Sequence, residues 1–78
     1  MTFKLHNISI AEFRSFLKHH GLNYIRTKGG HEIWSRKDLL RPVIFQTHID
    51  PIPAFIIKNN HRTMGLTTKD LRNFLSNK

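Results

Sequence analysis

Lys28, Gly29, Gly30 and His31 are consecutive in a chain of 78 residues. Together they carry groups that metal-free cleavage of RNA requires. RNA brings its own nucleophile, the ribose 2′-OH. An imidazole can remove that proton, because a free histidine side chain, with a pKa of ~6.5, is neutral yet basic near pH 7. A neighbouring cation stabilises the charge that builds on the phosphate, and glycines let the phosphate approach backbone N–H donors. The stretch does not single out a general acid for the leaving oxygen; His48 and water are the two candidates. His31 also has a plainer reading, as a polar residue at the shoulder of a hairpin. Gly29-Gly30 is good turn chemistry under either reading. Trp34 reads as core packing rather than as a platform for a base.

Charge points the same way. Thirteen Lys and Arg against five Asp and Glu give +8, with six His besides. So basic a chain is expected to meet polyanions or an acidic partner protein. Between positions 26 and 41, Arg26, Lys28, Arg36, Lys37 and Arg41 outweigh Glu32 and Asp38, a net +3 in sixteen residues. Phosphate contacts are therefore expected from Arg26, Lys28, Arg36 and Lys37, with the backbone of Gly29 and Gly30. There is no cysteine, hence no disulfide framework and no thiolate metal site. His19 and His20 are adjacent and no His-x3-His spacing occurs, so neither metal nor cofactor is expected. No apolar run approaches the ~18 residues of a membrane span, and "MTFKLHNIS" lacks the features of a signal peptide. A cytoplasmic protein that does not enter the membrane is expected.

The elements that must position these residues follow from local patterns. Ser9 with Glu12 forms a capping box, and Ile10, Phe13, Phe16 and Leu17 recur at helical spacing up to Gly21, which predicts a helix over 10–20. Two β-prone runs flank Gly29-Gly30 and predict a hairpin. With a two-residue turn, Lys28 faces His31 and Arg26 faces Ile33. Strict alternation then places Tyr24, Arg26, Lys28, His31, Ile33 and Ser35 on one face, and Ile25, Glu32 and Trp34 on the other. Neither face is cleanly apolar, so the pattern leaves open which one meets the core. "KDLL" predicts a second turn and "RPVIFQT" a third strand. Asp50 as N-cap and Pro51 at the first helical position predict a helix over 51–64 that buries some of Ile52, Phe55, Ile56 and Met64. Gly65 ends it. Thr67 and Asp70 cap a last helix carrying Leu71, Phe74 and Leu75. The order α-β-β-β-α-α implies a single α+β domain over 1–78, a three-stranded antiparallel sheet with helices on one face.

This order of elements, with "KGGHEIW", "QTHIDPIPAFIIKNN" and "MGLTTKDLRNFL", resembles the HicA family of bacterial toxins. These are mRNA interferases with a fold like a double-stranded RNA-binding domain. The resemblance covers nearly the whole chain. It implies that His31 is the essential residue, that the substrate is mRNA, that translation is inhibited, and that a HicB-type antitoxin neutralises the protein. Two positions depart from the family pattern. Gly30 stands where serine is commoner, so any role of that hydroxyl is missing. Glu32 puts a negative charge next to His31, which disfavours RNA unless alternation carries it to the opposite face.

Two other readings use the same residues. A non-catalytic RNA-binding module needs the same basic strip and fold. A helix-turn-helix formed by the last two helices would read DNA through Lys69 and Arg72.

Overall fold

The computed structural model describes residues 7–76. Its first helix, α1 (Ile10–His19), starts where the capping box predicts. The Ser9 hydroxyl accepts from the Glu12 N–H at 3.0 Å, and the Glu12 carboxylate accepts from the Ser9 N–H at 3.0 Å. Its apolar stripe of Ile10, Phe13, Phe16 and Leu17 is buried. Three strands follow, β1 (Asn23–Lys28), β2 (His31–Ser35) and β3 (Val43–Gln46), then α2 (Ala54–Met64) and α3 (Thr68–Ser76). The sheet is antiparallel in the order β1-β2-β3. This is the expected α+β order.

The hairpin register is the expected one next to the turn: Lys28 pairs with His31 and Arg26 with Ile33. Beyond Arg26 the ladder slips. Tyr24 pairs with Trp34, and Ile25 is the extra residue of a β-bulge. Tyr24 therefore leaves the His31 face on which strict alternation placed it. Its ring meets Trp34 edge-on at 5.7 Å, and its hydroxyl lies 2.6 Å from the Thr27 hydroxyl.

The face that meets the core is the one carrying Glu32 and Trp34. Trp34, Val43 and Phe45 join residues of all three helices in one cluster with Phe13, Phe16, Ile57 and Leu71. Phe13 of α1 stands edge-on to Phe45 of β3 at 5.2 Å. The helices thus cover one side of the sheet, and the side carrying His31 stays open.

The second helix begins later than predicted, with Pro53 as its N-cap. Asp50 and Ile52 each precede a proline, which biases both toward extended backbone. Ile52 is drawn into the core and donates its N–H to the Ile8 carbonyl at 2.9 Å. The Asp50 carboxylate accepts from the Ile10 N–H at 3.2 Å. It therefore serves the N-terminus of α1, where a negative charge is favoured by the helix dipole. Of the four predicted residues, Ile52 and Met64 are buried and Ile56 packs partly buried against the core. Phe55 is 65% exposed and Ile57 fully buried. The buried positions are Ile57, Asn60, His61 and Met64, one helical stripe in which two members are polar.

Asn60 closes an edge of the sheet. Its side-chain N–H donates to the Ile44 carbonyl at 3.0 Å and its oxygen accepts from the Ile44 N–H at 3.4 Å. The amide thus occupies the place of a further strand along β3. Asn60→Ala is expected to cost about 1–2 kcal/mol by leaving these groups unpaired, measured by urea unfolding.

His61 is buried, and neither ring nitrogen has a hydrogen-bond partner among the described residues. Its ring packs edge-on to Phe16 at 6.2 Å. Burial lowers its pKa from the ordinary 6.5, and Asp70 opposes this only in part. His20 is lowered as well, first by burial and then by His19 and Arg36, with Asp70 opposing. For both, the unfolded chain binds the proton more readily. Stability is therefore complete above about pH 6.5 and falls as the pH drops toward the folded-state values. Circular-dichroism melts between neutral and mildly acid pH should show this loss, and His61→Leu should remove the part due to His61.

At the end of α2, Gly65 takes φ +69°. Thr67 and Asp70 then form the expected cap of α3: the Thr67 N–H donates to the Asp70 carboxylate at 2.8 Å, and the Asp70 N–H to the Thr67 hydroxyl at 3.2 Å. Leu71 is fully buried, with Phe74 and Leu75 packed against the same core. No helix of the described residues is long and apolar enough to cross a membrane.

Candidate active site at the glycine turn

The turn between β1 and β2 is made by Gly29 and Gly30, with φ of +58° and +79°. Both values lie in the left-handed region, where a β-carbon is disfavoured. The turn delivers Lys28 and His31 side by side on the open face of the sheet. Lys28, His31 and Gln46 occupy directly paired positions across the three strands, and Arg26, Ile33 and Ile44 form a second row. Neighbouring strands are ~4.8 Å apart, so a phosphate beside the imidazole lies within reach of the lysine. Neither Arg26 nor Lys28 forms an ion pair with a described carboxylate. Their charge is available to a ligand.

The His31 ring is oriented by its own turn. Nδ1 lies 3.2 Å from the Gly29 carbonyl oxygen. A carbonyl only accepts, so Nδ1 carries the hydrogen in this contact and Nε2 is the basic nitrogen of the neutral ring. That nitrogen is the one needed to take a proton from a substrate.

Glu32 is removed from the site, as alternation allows. It is 3% exposed on the inner face. Arg14 Nε donates to both carboxylate oxygens at 3.1 Å and Nη2 closes a further contact to Oε2. Trp34 Nε1 donates to Oε1 at 2.9 Å. The Arg14 hydrogen bonds hold the Glu32 carboxyl below its ordinary range, against the opposing effect of burial, and Trp34 assists. The charge is therefore paired with Arg14 of α1 on the inner face and does not stand on the His31 side of the sheet.

No protein-family model, curated protein or solved structure matches this chain.

The structure does not bring all the predicted cations together. Arg36 and Lys37 follow the far end of β2, about 15 Å from His31 at the rise of a strand. Arg36 is occupied there: its Nε donates to Asp38 at 2.5 Å, and a terminal nitrogen donates to the His20 carbonyl at the end of α1. Lys37 is exposed in the following turn. The compact site is Arg26, Lys28, Gly29, Gly30 and His31.

Two residues of the neighbourhood carried no sequence signal. Gln46 completes the His31 row. Thr47 fastens β3 to the turn, donating both its N–H, at 2.9 Å, and its hydroxyl, at 3.2 Å, to the Gly30 carbonyl. The next residue is His48, whose ring lies against Gly30: a β-carbon there would stand 3.3 Å from His48 Nδ1 and 3.4 Å from Cε1. Only the register of β3 on β2 brings it there. Gly30→Ala is expected to destabilise the protein by about 1–2 kcal/mol through the left-handed backbone alone and to displace the His48 ring. Thermal melts and the His48 NMR resonances measure the two effects.

Proposed function

We propose that the protein is a metal-independent endoribonuclease of the HicA type, a cytoplasmic toxin that cuts mRNA and so stops translation. The observation that carries the reading is the His31 imidazole. It is oriented by the Gly29 carbonyl, leaves Nε2 free, and stands on an open sheet face next to Lys28. His31 is the base for the 2′-OH. Lys28, Arg26 and the backbone of the glycine turn hold the phosphate as negative charge develops on it. Cleavage of this kind leaves a 2′,3′-cyclic phosphate and a 5′-OH. The neutralising partner is a HicB-type antitoxin with acidic or apolar groups for the basic, partly apolar face on which Ile33 and Ile44 lie among the cations.

Induction of the gene in a bacterial host should arrest growth and fragment transcripts, and co-expression of the antitoxin should restore both. Purified protein should cut single-stranded RNA in the presence of EDTA, and a single 2′-deoxy substitution at the mapped cut should block it. RNA that is retained in a gel shift but left intact, with no growth defect, would instead mark a non-catalytic RNA-binding module.

A further inference from the structure

We infer that His48 is the general acid of this reaction, the group that gives a proton to the departing 5′-oxygen; the inference rests on the ribonuclease reading above. Gly30 holds His48 beside the turn. Its carbonyl receives both donors of Thr47, which fixes the backbone immediately before His48. Its Cα side is covered by the His48 ring, 3.3 Å from where a β-carbon would stand. The preceding glycine, Gly29, orients the His31 ring. Two imidazoles, His31 at the start of β2 and His48 in the turn after β3, therefore flank the glycine turn, with Lys28 paired to His31.

His48 is exposed and makes no hydrogen bond or ion pair with another described residue. The fold assigns its ring nitrogens no structural task, yet the double tie at Thr47 fixes the backbone that carries it. A β-carbon at position 30 would crowd that ring at 3.3–3.4 Å.

The step balances with these groups alone. Nε2 of His31 takes the 2′-OH proton, O2′ bonds to phosphorus, and the P–O5′ bond breaks with its electron pair on O5′. Protonated His48 transfers its proton to O5′. The products are the 2′,3′-cyclic phosphate and the 5′-OH, and proton exchange with water restores both rings.

The test compares two substrates. One is a single-stranded RNA containing the mapped cut. The other is the same RNA with sulfur replacing the 5′-bridging oxygen at that cut. A thiolate leaves without protonation, so only the oxygen substrate needs an acid. His48→Ala should lose about 10²- to 10⁴-fold on the oxygen substrate and return to within about tenfold of wild type on the sulfur substrate. His31→Ala should be impaired on both. His48→Gln should behave as His48→Ala, and unchanged circular-dichroism melts establish that each variant is folded. A His48→Ala enzyme that cuts the oxygen substrate at the wild-type rate, or is equally impaired on both substrates, overturns the assignment and leaves the ribonuclease reading standing. Failure of the wild-type protein to cut either RNA overturns both.

Discussion

His31→Ala is expected to lower the rate of RNA cleavage by about two to four orders of magnitude, the range for loss of a positioned general base. Growth arrest on induction should disappear with it. The fold should survive. The ring is half-buried on the open face and its one hydrogen bond is to the Gly29 carbonyl of its own turn, so the loss of stability should be near 1 kcal/mol. His31→Gln sharpens the comparison. A glutamine amide can still donate to a carbonyl and fill much of the same space, but it cannot take up the 2′-OH proton. Single-turnover kinetics should therefore find it as slow as the alanine variant, with RNA binding retained. If His31→Gln cuts RNA as fast as wild type, the imidazole is not the base. Lys28→Ala belongs to the same experiment as a contrast: it weakens phosphate stabilisation, leaves the base in place, and should reduce the rate less.

Arg14→Ala is expected to cost about 2–3 kcal/mol. Removing one partner of a buried ion pair typically costs ~3–5 kcal/mol, because the other charge is left uncompensated. Here Glu32 is the buried partner, while the Arg14 side chain is 44% exposed. Water that reaches the guanidinium already screens the pair, which lowers the figure. The loss is still large for a domain whose stability should be about 4–12 kcal/mol. The pH dependence separates this mechanism from simple loss of packing. The folded-state pKa of Glu32 is depressed from its ordinary value of 4.5, so the pair contributes fully above that value. Its contribution is lost as the pH falls through the folded-state value. Urea unfolding of wild type and Arg14→Ala should thus differ most near neutrality and converge at strongly acid pH. Adding Glu32→Gln to Arg14→Ala should restore part of the loss, since the amide oxygen still accepts from Trp34 and no charge is stranded. A deficit unchanged by pH, or no rescue in the double variant, would falsify the ion-pair account.

How much of this was legible in the sequence depended on how local the causes were. The cap of α1, the Gly-Gly turn, the pairing of Lys28 with His31 and the Thr67–Asp70 cap are set by residues within a few positions of one another. All of them read correctly. The start of α2 and the polar half of its buried stripe did not, because apolar periodicity does not register Asn60 and His61. Asn60 is buried for the sake of an Ile44 backbone sixteen positions earlier. The two X–Pro steps that delay the helix were visible, but the pull on Ile52 comes from Ile8, across the fold. The bulge at Ile25 has no composition signal of its own. At the site, the place of Glu32 on the face opposite His31 was legible from strand alternation. Its partner Arg14, on another element, was not. His48 stood out in sequence only for its place after β3, and its contact with Gly30 exists only once three strands are laid side by side.

The bulge has a consequence for how the gene can change. Ile25 is the surplus residue between Tyr24, seated against Trp34, and Arg26, on the cationic face. A codon lost there removes the surplus and leaves the pairing from Arg26 to Ile33 intact. A codon lost at Thr27, between the two cations, would also consume the surplus, but it would set Arg26 opposite Glu32 and carry it to the far side. Length variation in this strand is thus absorbed at one position and punished at its neighbours.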